Sequence, residues 1–265
     1  MRKLPDFFEE GEIAIVESGE STGLLSKAFL ALASDMREKE SLRGKIVGAT
    51  TYPLIIVFFI ILAFLVVMVY VVPQLLPIIS GLSGELPFTT RSLIAMSDFL
   101  DKNIFLLLFL ALGAVLIFLG YTQTPSGKYR WDKEKLLFPL TGNVYKNYLV
   151  VKTLSTFHLL TSSGISIVKT LRLTGQSAGN SVIAKLFSLV ADDVSHGTKI
   201  SEAMRTQDSE HVFFTPDVLQ MIESAERTST LDTITEKIAT QYKREVDVSL
   251  GMMVKFIEPA ALLLA

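Results

Sequence analysis

The stretch LIIVFFIILAFLVVMVYVV, Leu54 to Val72, is nineteen apolar residues in a row inside a longer segment, Ile46 to Gly84, that holds no charge. At about 1.5 Å of rise per residue, a helix of that length covers roughly the 30 Å hydrocarbon core of a bilayer. Only a helix crosses there with every backbone group satisfied within its own segment. Pro53 stands where the first turn of a helix tolerates proline, and Pro73 and Pro77 mark the exit. A second run, Ile104 to Tyr121, is one crossing long and contains Gly113 and Gly120, which spans accept more readily than soluble helices. A third begins near Phe256 and stops with Ala265. Its nine residues from Ile257 would rise only about 14 Å, so the chain is read as ending inside a third span.

Composition points the same way. Of 265 residues, 49% are apolar and 20% charged, and the mean hydropathy is +0.44. A soluble globular protein carries about 25% charged residues. Lys plus Arg number 25 against 27 Asp plus Glu, a formal charge of −2, a balance that argues against a dedicated nucleic-acid binder. With no cysteine, disulfide frameworks, thiol catalysis, cysteine-ligated zinc and iron–sulfur clusters are excluded too. The first residues, MRKLPDFFEEGE, show no apolar core of a cleavable signal peptide.

Lys and Arg set the orientation. Arg37, Lys39, Arg43 and Lys45 precede the first span, and Lys128, Arg130, Lys133 and Lys135 follow the second. The connecting segment, Gln74 to Asn103, holds only Arg91 and Lys102. The positive-inside rule then puts both large flanks in the cytoplasm and the loop outside. Within the loop, Pro87-Phe88-Thr89-Thr90 reads as a turn and cap for a short helix ending near Asp101, lying along the outer membrane surface.

An internal repeat supplies the domain plan. Shifted by 206 positions, Phe7-Phe8 falls on Phe213-Phe214, VESGESTGLL (16–25) on IESAERTSTL (222–231), and Pro53 on Pro259. Leu25, Ala28, Leu32 and Met36 fall on Leu231, Ile234, Ile238 and Tyr242, one helical face in each copy. The expected fold is an all-α membrane protein: a repeated cytoplasmic helical bundle, two complete transmembrane helices and a truncated third. Residues 1–50 form the end of a first helical domain, 51–73 the first span and 74–103 the loop. Residues 104–122 form the second span, 123–252 a second helical domain of about six helices, and 253–265 the start of the third span. In the second domain Val150–Ser162 ends at Gly164, Ser166–Gln176 follows, and Asn180 caps a helix with Ile183, Leu186, Phe187, Val190 and Val194 on one face. A short helix spans Ile200–Arg205. Thr215-Pro216-Asp217 starts the next, which ends near Glu226, and the last begins at Leu231. The first copy holds only its last two helices, its upstream part lying outside this chain.

A search for chemistry finds no catalytic, cofactor or metal residues. Gly44-Lys45 and Gly127-Lys128 lack the context of a phosphate-binding loop, and no Gly-x-Gly-x-x-Gly follows a strand. His158, His196 and His211 are too scattered to ligate a metal together, and His158 reads as a packed or capping helix residue. Asp192-Asp193 reads as a solvated helix face in preference to a cation site shared with other carboxylates, and the charges from Asp35 to Arg43 read as a solvated face with i,i+4 pairs. Three carboxylates remain for contact with partners. Glu20 and Glu226 hold equivalent places where one helix hands over to the next, either as exposed groups near a turn or as ion-pair partners of a basic patch on a partner or sister subunit. Glu258 precedes Pro259 at the mouth of a span, at headgroup level or as a paired functional acid.

These motifs together resemble one family, the type II secretion system protein F domain. The resemblance rests on Gly19-Glu20-Ser21-Thr22-Gly23, Tyr52-Pro53, Val72-Pro73, Leu86-Pro87 with Thr89-Thr90, and Leu160-Thr161-Ser162-Ser163-Gly164-Ile165. Asn180, Met221-Ile222-Glu223 and Ile257-Glu258-Pro259 complete it, in the family's order over nearly the whole chain. In the second copy Ala225 and Ser229 replace the turn glycines Gly19 and Gly23, which leaves a left-handed cap after Glu226 strained or absent. The resemblance implies a non-enzymatic scaffold in the bacterial inner membrane, without cofactor, serving type IV pilus assembly or type II secretion. Its implied partners are a cytoplasmic pilus or secretion ATPase, pilin or pseudopilin subunits, other inner-membrane assembly proteins and a second copy in a dimer. Two rivals from other classes are a small polytopic transporter and a membrane-tethered signalling protein. The transporter reading lacks charged residues along the spans beyond Glu258, and the signalling reading lacks a legible pocket or output domain.

Overall fold

A computed structural model describes residues 9–75, 87–139, 141–209 and 212–264, with side chains from position 253 onward described only at Lys255. Among these residues the secondary structure is helical, without a strand. Contacts divide the chain into two units, Met1–Val47 with Ser126–Met253, and Gly48–Pro125 with Val254–Ala265.

The first unit contains α1 (Glu10–Ser21), the start of α2 (Leu25–Val66), α4 (Pro125–Leu137), α5 (Gly142–Ser162), α6 (Ile167–Ser177) and α7 (Ser181–Ser195). It continues with α8 (Ile200–Gln207), α9 (Pro216–Thr228) and most of α10 (Leu231–Leu264). Its core is built from one apolar stripe per helix: Leu154, Phe157 and Leu160 of α5, Leu171 of α6, Ile183, Phe187 and Val190 of α7, and Ala203 and Met204 of α8. Leu219 and Ile222 of α9 and Ile238, Tyr242 and Val246 of α10 close it. The rings of Phe187 and Phe214 meet edge-on at 6.2 Å, the geometry that aromatic quadrupoles favour. Ala14 and Ile15 of α1 and Ala28 and Leu32 of α2 pack with Leu159 and Leu160 of α5 and Leu173 of α6.

The expected helices of this unit are present, several of them longer. α5 starts at Gly142 instead of Val150, and α8 and α9 run two residues further, to Gln207 and Thr228. Asn180 caps α7 as expected, its Oδ1 accepting from the amides of Val182 (2.9 Å) and Ile183 (3.3 Å). Gly164 ends α5 in the left-handed region at φ +77°. Sequence reading missed α4, because its charged residues leave few apolar positions from which to read a period; Leu136 is buried.

In the second unit three boundaries differ from expectation. Pro53 lies inside α2, not at a helix start. Its missing N–H removes one rung at a cost of about 3 kcal/mol, but a helix broken beside hydrocarbon would leave more groups without partners. Pro73 does not end the helix either, which continues to Leu75; Pro77 lies outside the described residues. Instead the turn before Pro73, Val67–Val71, widens into a π-helical turn with the Val72 amide bonded to the Val67 carbonyl. The wider turn makes room for the proline ring. The next rung would pair the Met68 carbonyl with the amide of residue 73, which proline lacks. The hydroxyl of fully buried Ser97 donates to that carbonyl instead, joining the turn to the helix that carries Ser97.

That helix, α3 (Phe88–Gln123), is the third difference. The expected short helix and the second span are one element of 36 residues, starting after Pro87 and not from a threonine cap. No glycine or proline interrupts Phe88 to Leu112, and Asp98, Asp101 and Lys102 are side chains on a continuing helix. A helix continuous with a span does not lie flat along the surface. Both Leu25–Leu75 and Phe88–Gln123 are long and apolar enough to cross a membrane. Their apolar windows are at most 11% buried against protein, unlike the core helix of a soluble protein.

Candidate functional site

The two handover turns, α1 to α2 and α9 to α10, share several hydrogen bonds at the 206-residue offset, although Gly23 N–H bonds the Glu20 carbonyl and Ser229 N–H that of Ala225. Leu24 N–H bonds the Gly19 carbonyl at 2.7 Å, and Thr230 N–H bonds that of Ala225 at 2.9 Å. Thr22 Oγ1 donates to the Ser18 carbonyl at 2.8 Å, and Thr228 Oγ1 to that of Ser224 at 3.0 Å. Gly23 sits at φ +71° and Ser229 at φ +56°, so the left-handed cap is present in both copies. Serine pays for that conformation where glycine does not, and its strain is of the order of 1 kcal/mol. Ser229→Gly is therefore expected to raise the melting temperature by a few degrees; an unchanged or lower value would show that serine is at ease there. Gly19 serves a different need: a Cβ there would come within 2.6 Å of the Ala28 Cβ, so only glycine lets α1 and α2 approach this closely.

The two carboxylates of the repeat differ in their surroundings. Glu20 is exposed, and among the described residues its carboxylate has no hydrogen-bond or ion-pair partner. Glu226 is half-buried and caps α8. Its Oε1 accepts from the Ile200 amide at 2.7 Å, and its Oε2 from the Ser201 amide at 3.2 Å and the Ser201 hydroxyl at 2.8 Å. A negative group at a helix N-terminus satisfies orphan amides and meets the positive end of the helix dipole. The repeat marked Glu226 but not its use, because α8 falls on positions without a counterpart in the first copy. Glu258 and Pro259 lie on the helical backbone of α10, where side chains are not described.

Other residues singled out in the sequence have internal roles. His158 Nδ1 lies 2.8 Å from the Asp232 carbonyl oxygen, linking α5 to α10. Asp192 pairs with Arg172 at 2.8 Å, and Asp193 accepts from Gln207 at 2.8 Å. Lys39 pairs with Asp35 within α2 at 2.7 Å. Two further pairs tie α2 to α10: Lys45 holds both Asp247 oxygens at 2.8 and 2.9 Å, and Lys243 reaches Glu38. Among the described residues no cluster of three acidic or histidine side chains could hold a metal.

Two buried aspartates escaped the sequence reading. Asp208 receives three backbone amides, Val212 on Oδ1 at 2.9 Å and Phe213 and Phe214 on Oδ2 at 3.0 and 2.8 Å. The repeat gave no hint of it, since its counterpart position is Arg2. Asp132 of α4 accepts from the Ser181 amide (2.8 Å), the Ser181 hydroxyl (2.7 Å) and Lys135 (3.1 Å), while Asn180 donates to its carbonyl at 3.3 Å. Burial pushes the Asp132 carboxyl upward, but the Ser181 bonds and Lys135 outweigh it and hold the group below its ordinary value. Such a group contributes stability in full above its unfolded pKa of about 3.9, and that contribution is lost as pH falls through the lower folded value. Asp132→Asn is expected to melt below wild type at pH 7, with the gap closing as pH falls below about 4. A gap of constant size across that range would rule out this carboxylate as its source.

Comparison with known proteins places the chain. The profile of the family described as type II secretion system (T2SS), protein F matches residues 1–73 and 153–265. The type IV pilus assembly protein PilC of Thermus thermophilus is 35% identical over 248 residues, covering 93% of this chain and 60% of that protein. The protein of the same name from Pseudomonas aeruginosa is 28% identical over 261 residues, 98% of this chain and 68% of its own length. The type II secretion system protein F of Pseudomonas aeruginosa is 27% identical over 263 residues, 99% of this chain and 64% of its own length. The chain thus spans about two thirds or less of these relatives.

Proposed function

This chain belongs to the type II secretion system protein F family, and from that membership we propose that it acts as an inner-membrane platform of a pilus or secretion machine. In this reading a cytoplasmic assembly ATPase docks on the helical unit, and pilin or pseudopilin subunits pass from the apolar helices into a growing filament. The flanks rich in Lys and Arg face the cytoplasm, the role is mechanical instead of enzymatic, and the working form is a dimer with other inner-membrane assembly proteins around it.

The observation that carries the reading is the course of α2. A single helix holds the turn beside Glu20 at its start and the apolar run at its end. In this reading the load travels from the turn to the apolar segment along that one helix, past Pro53. We favour type IV pilus assembly over secretion on the 35% identity to the Thermus thermophilus protein, while the pilus and secretion proteins of Pseudomonas aeruginosa match almost equally, at 28% and 27%. The matched hydrogen bonds of the two turns support a duplicated unit, in which Glu20 is the copy left open for a partner.

The test is complementation of a gene deletion in the host, with filaments imaged and secreted proteins assayed. Loss of surface pili with normal secretion, restored by the intact gene, is the expected result. Glu20→Lys is expected to reach the membrane but not restore filaments or co-purify with the ATPase. Full restoration by Glu20→Lys would remove Glu20 from the docking surface. Normal filaments and normal secretion in the deletion strain would overturn the platform itself and favour the transporter or signalling alternatives.

A further inference from the structure

Between α4, α7 and the segment after α8 lies a cavity of about 430 Å³. Its floor is apolar, with Leu136, Leu186 and Phe213 buried or nearly so. Its rim carries Lys133 and Lys185 with Tyr129, whose ring lies 5.5 Å from the Lys185 ammonium. Asp208 lines the cavity, but its two oxygens accept the amides of Val212, Phe213 and Phe214, and the Asp132 carboxylate beside Lys133 in sequence is held by Ser181 and Lys135. Among the described residues no carboxylate pairs with Lys133 or Lys185. Two ammonium groups without a carboxylate partner above an apolar floor complement an anion with an apolar body.

We propose that this cavity binds an anionic phospholipid, its phosphate between Lys133 and Lys185 and its glycerol and first acyl carbons against Leu136, Leu186 and Phe213. The source is argued from the chain. α4 begins at Pro125, two positions after the apolar helix α3 ends at Gln123. Lys133 is therefore only about 12 Å along the helix from its start. Lys128, Arg130, Lys133 and Lys135 on one short helix after a span have the composition of juxtamembrane segments that attract anionic headgroups. Tyr129 and Trp131 are the aromatic types enriched at membrane interfaces. The site is independent of which machine the platform serves.

The chain has one tryptophan, Trp131, which makes its fluorescence a reporter of α4. The protein would be reconstituted in phosphatidylcholine nanodiscs containing an equal, low fraction of either brominated phosphatidylglycerol or brominated phosphatidylcholine. Brominated phosphatidylglycerol is expected to quench Trp131 several-fold more, and saturably. K133A/K185A should remove that excess, lowering the apparent preference about tenfold. K133R/K185R should keep it, as should K27A/K169A, which removes the same charge from exposed positions elsewhere. Equal quenching by the two lipids, or an excess that survives in K133A/K185A, would overturn the site. Loss of the excess on adding 10 mM inorganic phosphate at constant ionic strength would overturn the lipid as its occupant in favour of a free anion. Loss of the excess in K27A/K169A as well would reduce the effect to net charge and overturn it equally.

Discussion

Asp208→Ala is expected to lower the stability of the helical unit by about 3–4 kcal/mol, the largest loss from a single polar side chain among the described residues. Three backbone amides, those of Val212, Phe213 and Phe214, have their acceptor in this one carboxylate. Asp208 is only 5% exposed, so water does not replace it without opening the fold. The loss also spreads. The bonded amides hold Phe213 and Phe214 in place, and the Phe214 ring packs edge-on against Phe187 in the centre of the core. Releasing the backbone loosens an aromatic anchor as well as three hydrogen bonds. Asp208→Asn keeps an acceptor oxygen but turns an NH2 group toward amides that also donate, so it should recover less than half of the loss. Thermal melting of the detergent-solubilised protein, followed by circular dichroism, measures both. A loss under about 1 kcal/mol for alanine would mean that the amides have other acceptors within reach.

Glu226→Ala should cost about 2–3 kcal/mol, because it uncaps α8 and leaves the Ile200 and Ser201 amides and the Ser201 hydroxyl without their acceptor. The informative comparison is with Glu20→Ala. By sequence the two glutamates are equivalents, and the turns around them match in backbone. By structure only Glu226 carries an internal load. Glu20→Ala should leave the melting temperature unchanged while impairing filament assembly, and Glu226→Ala should lower the first and affect the second only through it. Equal destabilisation by both substitutions would show that Glu20 too has an internal partner, and would remove the reason for reserving it to a docking surface.

Much of this was legible in the sequence because the signals were local. An unbroken apolar run needs no partner to declare a membrane helix, and Asn180 announces a helix start wherever the following residues are helical. Proline was legible as a residue but not in its consequence. Pro53 and Pro73 were read as boundaries, as they are in water, where a terminated helix finds solvent for its free groups. Beside hydrocarbon the balance reverses, and the helix absorbs both. Asp132, Asp208 and Glu226 share another reason for being missed or misread. Each acts on amides of a different element, 49, 4 to 6 and 26 positions away, and nothing in a carboxylate's own neighbourhood reports which backbone it will meet. The match at the 206-residue offset singled out Glu226 but not its partners, since Ile200 and Ser201 lie outside the aligned positions.

The π-helical turn at Val67–Val71 changes how the first apolar helix must be read from outside. One residue is accommodated beyond the regular count, and one residue corresponds to about 100° of azimuth. Positions 54–66 therefore follow one angular frame and positions 72–75 another. A scan of single substitutions along this helix, scored by any property that depends on which side is touched, will show a 3.6-residue wave that slips phase at Met68. Fitted with one wave, such data would assign the residues on one side of the slip to the wrong flank. With the break placed at the carbonyl that Ser97 holds, both halves resolve onto consistent surfaces.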